Sequence, residues 1–184
     1  MYRFGYSPLR ILQVCDTINR REPPWLKFHR KGGVIALRYR DSGVDEAKAE
    51  SFVRYASHAA RVTFGRRVPE GIGNFAGFFD IRGWGYSDPL LVGACDGVGT
   101  KILVAEAMGS YHGIGIDLVA MNVNDIAATG ARPLFLLDYI AVGSLRGKRE
   151  QQIIDGVVSG CRVSGCALIG GETAQMKAVY GAQG

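Results

Sequence analysis

Residues 114–142 read IGIDLVAMNVNDIAATGARPLFLLDYIAV, and they contain both halves of an alternating architecture. The first part, 114–130, is apolar with a few polar residues and ends at Gly130, the residue type that commonly closes a helix. Pro133 then opens an apolar run, 133–142, that fits a buried strand. The same alternation continues downstream. Residues 149–164 read as a second helix ending at Gly165, and CALIG (166–170) reads as a strand running into Gly171, Glu172 and Thr173. Upstream, PLLVGAC (89–95) has the length and composition of another buried strand. Strands alternating with helices predict an α/β layer fold.

The N-terminal part is less regular. VIALRYR (34–40) is a plausible short strand. Asp41 and Ser42 are cap-type residues, and Asp45–Glu46 would stand in an early helical turn, where carboxylates favour the dipole. Phe52, Val53, Ala56, Ala59 and Ala60 then recur at helical spacing. Residues 1–33 include Pro8, Pro23, Pro24, Trp25 and Arg20–Arg21 and show little periodicity. They are expected to be a basic, poorly ordered extension, with residues 34–184 as the domain. A targeting segment is the alternative, but Ser7 is the sole serine there and no small-residue cleavage site follows an apolar core.

The 184-residue chain carries a net charge of +5. That charge is unevenly placed. Residues 1–40 carry nine Lys or Arg against two acids, whereas 41–184 carry 13 against 15. The body is faintly acidic, which argues against a nucleic-acid-binding surface on it. No apolar run approaches the ~18 residues of a membrane helix. Cys15, Cys95, Cys161 and Cys166 form no C-x-x-C pair, so they are expected to be reduced thiols of a cytoplasmic protein.

Chemistry concentrates in VGACDGVGTK (92–101). A P-loop is excluded because Lys101 follows Thr100, not glycine, and because Gly93 and Gly99 are one residue too far apart. The dinucleotide fingerprint fails too, since Gly71-Ile-Gly73 reaches its next glycine at Gly77. What remains is Asp96 before Gly97 and Gly99, which let backbone approach a ligand, with Thr100 and Lys101 placed to meet phosphate oxygens. A tight turn with a surface lysine accounts for the hexapeptide equally well.

On the helix, Asp125 lies about 80° around from Asp117 and about 60° from Asn122 in the opposite sense. Such an oxygen-rich group on an otherwise greasy helix suits Mg²⁺ shared with phosphates. The competing reading has Asp117 capping or facing solvent and Asn122 bonding locally. Asp138 interrupts a buried strand, which is costly for an unpaired charge. Glu172 is expected beyond a strand end, where open α/β sheets bind ligands. His58 and His112 have no visible partner or metal spacing and read as structural.

Taken in order, YRDSGVDEAKAESFV, FAGFFDI, DPLLVGACDGVGTKI, the 114–145 segment and GCALIGGETAQM resemble the aminoimidazole ribonucleotide synthetase family, the phosphoribosylformylglycinamidine cyclo-ligases. The resemblance covers about residues 39–176. It implies the family's N-terminal ATP-binding domain, a mixed sheet packed with helices and dimerising through its strands as a homodimer. It also implies ATP-dependent ring closure of formylglycinamidine ribonucleotide to aminoimidazole ribonucleotide in purine biosynthesis, with ADP and phosphate released. Asp96, Asp125 and Glu172 would be the catalytic acids serving Mg²⁺ and ATP, with Asp117 and Asn122 in support. Gly97, Gly99, Thr100 and Lys101 would lie along phosphates, as would Gly71, Gly73 and Gly77.

The family's GGLGGF loop is EGIGNF here, with Asn74 in a glycine position. AEMPGMY is replaced by AQMKAVY, placing Gln175 and Lys177 where the family has glutamate and proline. The family's second α/β domain, which completes the substrate cleft, is expected to be missing from this sequence. Two other readings stay open: a non-catalytic nucleotide-binding or dimerisation module, and a fold relative such as selenophosphate synthetase or thiamine-phosphate kinase.

Overall fold

The computed structural model describes residues 44–73 and 76–180. The expected strand 34–40, the extension 1–33, Asp41, Ser42, Cys15 and Asn74 lie outside the described residues. The elements are α1 (Glu46–Ala60), a 3-10 turn (Arg61–Thr63), α2 (Lys101–Met108), α3 (His112–Ala128), β1 (Phe135–Val142), α4 (Lys148–Ser164), β2 (Ala167–Gln175) and a one-turn α5 (Lys177–Tyr180).

Asp45 is the N-cap of α1, its carboxylate accepting from Lys48 N at 3.1 Å. This satisfies one of the amides that a helix start leaves open. In α4, the fully buried Glu150 closes the start instead. Its carboxylate accepts from the amides of Arg146 (3.0 Å) and Gly147 (2.7 Å) and from Arg149 Nε (2.8 Å). A buried charge is tolerable when its lone pairs are filled in this way. Gly165 ends α4 with φ 69°, a conformation that disfavours any side chain, as its place in the sequence predicts.

β1 and β2 are parallel and joined by the crossover helix α4, the βαβ arrangement that the alternation predicts. Leu136 pairs with Leu168 and Leu137 with Gly170, so Ile169 is an extra residue and the strand is bulged there. Beyond the bulge, Asp138 pairs with Gly171 and Tyr139 with Glu172. One face is covered: Leu136, Ile140, Val142 and Leu168 join Phe52, Val119, Ile154, Val157, Cys161 and Cys166 in the core. The other face is open, with Phe135, Leu137 and Tyr139 exposed.

Three expectations about strands are thereby corrected. Residues 133–142 form a strand that is buried on one side only. Residues 89–95 form no strand, and Leu90 keeps 89% of its surface exposed. The apolarity of that run reports a need for cover that the described part of this chain does not meet. β2 runs on to Gln175, so GGET lies inside it and not past its end.

Helices α3 and α4 pack closely against each other. A Cβ on Gly115 would collide with the Ile153 carbonyl and come within 2.7 Å of Val157 N. One on Gly156 would strike the His112 carbonyl, and one on Gly160 would reach Val119 Cβ at 2.8 Å. Three glycines thus let one helix backbone lie against the other. Around this pair, α1 is tied by Tyr55 Oη donating to Asp155 (2.8 Å). Leu168 N donates to Thr63 Oγ1 (3.0 Å). The Gln175 amide makes long bonds to both backbone groups of Asp45, at 3.4 Å each. Glutamate, which cannot donate, could make only one of these two bonds.

Asp138 stands on the covered face, so close to Gly171 that a Cβ there would overlap its carboxylate. Burial pushes its carboxyl up to about 6. Cys161 and Cys166 are buried free thiols and Cys95 is an exposed one.

Gly115→Ala and Gly156→Ala should each destabilise the chain by about 1–3 kcal/mol in urea unfolding, because overpacking outweighs the helix-propensity gain. Gly113→Ala, with nothing within 4 Å of the new methyl, should not. For Asp138, the folded value lies above the unfolded one, so the folded chain holds the proton more tightly. Stability should therefore fall as pH rises from about 4 to above 6, by on the order of 3 kcal/mol at most. Asp138→Asn should flatten that slope in melts taken across this range.

Candidate functional site

The DGVGTK segment is anchored from α3. Asn122 Oδ1 accepts from Asp96 N at 2.9 Å, and Asn122 Nδ2 donates to Asp96 O at 3.1 Å and to Leu118 O at 2.9 Å. One side chain therefore grips both backbone groups of Asp96. The Asp96 carboxylate turns back on its own loop, accepting from Gly97 N at 2.7 Å. Gly99 takes φ 60°, which redirects the chain into α2 with Thr100 as N-cap residue. Thr100 makes no side-chain capping bond, and Ile102 N and Leu103 N bond back only to Gly99 O (3.4 Å) and Thr100 O (3.0 Å). A helix start of this kind, reached through glycines, presents amides to an anion.

Helix α2 was not foreseen from the sequence. Its opening residue Lys101 is 3.1 Å from Asp117 on α3, both side chains being 45% exposed. An exposed pair of this sort contributes at most about 1 kcal/mol. Lys101 and Asp117 are thus partners of each other, and Asn122 is a brace for the loop. The local-bonding reading of Asn122 is in part what the structure displays, through Leu118 O.

The three acids are not gathered. Asp125 is exposed on α3 and Glu172 is exposed within β2. Glu172 pairs with Tyr139, one residue on from the Asp138–Gly171 pair that faces the core, so it belongs to the open face of the sheet. Among the described residues no three His, Cys, Asp or Glu side chains form a group that could hold a metal ion. Carboxylates and amides of this kind still suit Mg²⁺ when one or two carboxylates act together with phosphate oxygens.

The other glycines divide by role. Gly77 is pressed against β2, where a Cβ would lie 2.6 Å from Ile169 O, so packing alone demands glycine there. Gly71 and Gly73 are exposed, and Gly73 has φ 143°. His112 opens α3, with its Nε2 3.3 Å from Ser159 Oγ, and His58 is exposed in the last turn of α1. The residues that sequence reasoning missed are Gly115, Gly156 and Gly160. The signal available for two of them was the small-xxx-small spacing of Gly156 and Gly160.

Removing the brace should be visible at one amide. Asn122→Ala should accelerate hydrogen exchange at Asp96 N by roughly tenfold, the equivalent of about 1–1.5 kcal/mol for the lost bonds. Asn122→Asp, which keeps an acceptor but loses both donations, should fall between it and the parent.

The sequence profile of the family "AIR synthase related protein, N-terminal domain" matches residues 77–183. A protein of Rippkaea orientalis named phosphoribosylformylglycinamidine cyclo-ligase is 49% identical over 142 residues, 77% of this chain and 41% of the relative. Proteins of the same name from Synechocystis sp. (51% over 144 residues) and Syntrophus aciditrophicus (49% over 142 residues) are similar over 42% and 41% of their lengths. The chain thus spans about two fifths of the length of these curated relatives. With the expected resemblance met by profile, identity and an α/β fold together, the chain belongs to the AIR synthase related family, in its N-terminal domain.

Proposed function

We propose that this chain forms the nucleotide-handling part of an ATP-dependent cyclo-ligase that closes formylglycinamidine ribonucleotide to aminoimidazole ribonucleotide, releasing ADP and phosphate in cytoplasmic purine biosynthesis. The observation that carries this reading is the Asn122 brace on Asp96. It holds a carboxylate, two glycines and a helix start in fixed relation. The names of the relatives supply the reaction class.

In this reading the amides from Gly97 to Lys101 face the phosphates, and the weak Lys101–Asp117 pair opens so that Lys101 can meet an oxygen. Asp96 and Asp125 would hold Mg²⁺ together with phosphate oxygens, and Glu172 would serve from the sheet. The metal would neutralise charge building on the transferring phosphoryl group. The fold's own contribution is positioning, which needs a loop that does not move. The exposed apolar face of Phe135, Leu137 and Tyr139, with the run Leu90–Val92, supports a homodimer in which a second copy supplies the cover.

A second reading, a nucleotide-binding or dimerisation module without turnover, is favoured by the ungathered acids. Calorimetry of ATP with and without Mg²⁺ tests the first part of the proposal. Binding should require Mg²⁺ and weaken by about tenfold or more in Asp125→Asn, a loss of roughly 1.4 kcal/mol. A folded chain that binds no ATP, or an Asp125→Asn variant that binds as the parent does, would overturn it. Mg²⁺-dependent binding without ring closure would leave the module reading in place of the enzyme.

A further inference from the structure

A cleft of about 480 Å³ lies where the 3-10 turn after α1 meets the starts of β1 and β2. That volume suits a small organic ligand. Three of its lining residues are arginines, Arg66, Arg67 and Arg132, and none is acidic. Its aromatic wall is built from Trp84 and Phe79, with ring centroids 6.1 Å apart.

The arginines are not equivalent. Arg67 lies 4.4 Å over the Trp84 ring and is locked there by donating to Asp80 O (2.9 Å) and Arg82 O (3.0 Å). The Asp80 carboxylate is itself engaged by Arg82, through bonds of 2.9 and 3.0 Å. Arg132 lies 5.7 Å from the Trp84 centroid, and neither it nor Arg66 pairs with a carboxylate among the described residues. Three like charges around one hollow repel one another unless an anion enters. Guanidinium groups grip phosphate in fork geometry, while an indole offers a face for a flat ring.

We propose that this cleft binds a ring-bearing phosphate of mononucleotide size, with Arg66 and Arg132 on the phosphate and the ring against Trp84. None of the residues proposed for the Asp96 site lines it. It also sits at the starts of the parallel strands, away from the carboxyl ends where such sheets usually bind ligands. The proposal therefore stands independently of the cyclo-ligase reading.

Trp84 and Trp25 are the two tryptophans of the chain, so Trp25→Phe leaves Trp84 as the reporter. In EDTA, titration of the full chain with AMP should quench Trp84 saturably, about tenfold more tightly than adenosine or inorganic phosphate. Arg132→Ala and Arg66→Ala, both at exposed positions, should keep the parent's melting temperature and bind AMP about tenfold more weakly, a change of roughly 1.4 kcal/mol each. Asp125→Asn should leave the titration unchanged. Absence of saturable quenching through the millimolar range, equal binding of inorganic phosphate and AMP, or arginine variants that titrate as the parent does would each overturn the site. Loss of AMP binding in Asp125→Asn and not in Arg132→Ala would place the nucleotide elsewhere, and would also overturn it.

Discussion

The contact between α3 and α4 at Gly115, Gly156 and Gly160 sets the position of almost everything else. At Gly115 and Gly156 backbone meets backbone, and atoms of the main chain cannot rotate aside as a long side chain can. α4 is in turn the crossover that places β1 beside β2, and it carries the Ile154, Val157 and Cys161 side chains into the core. Once α3 is seated on it, Asn122 and the loop it holds are seated as well. The candidate site thus inherits its geometry from a helix crossing that contains none of its chemistry.

The same arrangement divides polar groups by face. Asp138 is turned toward the helices and has its carboxyl raised by burial, whereas Glu172, offset by one position in the paired strand, belongs to the open side. A one-residue difference in a structure of period two separates a buried group from an available one. This is why Asp138 and Glu172, two acids that look alike in the sequence, have unlike surroundings.

Much of the fold was legible because the relevant signals are local. Helix 114–130 and the strand after it follow from apolar spacing, Gly130 and Pro133, and Gly165 marks the end of α4 through a backbone conformation that few residues tolerate. The DGVGTK hexapeptide was legible as backbone able to approach a ligand. The brace on it was not, since only the folded chain brings residue 122 to residue 96. Likewise, Leu90, Leu91 and Val92 are apolar enough for a core strand, but composition cannot say which surface will cover them. Gly77, which the family resemblance places along phosphates, has a packing reason of its own that spacing does not reveal, the Ile169 backbone. The length of β2 was missed because GGET carries turn-type residues that the pairing with β1 overrides.

The bonds that hold α1 and the 3-10 turn after it join residues very far apart along the chain. Tyr55–Asp155, Thr63–Leu168 and Asp45–Gln175 span 100, 105 and 130 residues. Contacts of this range wait on the closure of long loops, whereas α3, β1, α4 and β2 follow one another directly between residues 112 and 175. Assembly accordingly has a natural order, in which the later segment organises first and the earlier helix docks onto it. During synthesis from the N-terminus, α1 leaves the ribosome before any of the surface that will receive it, and Phe52 spends that interval in water.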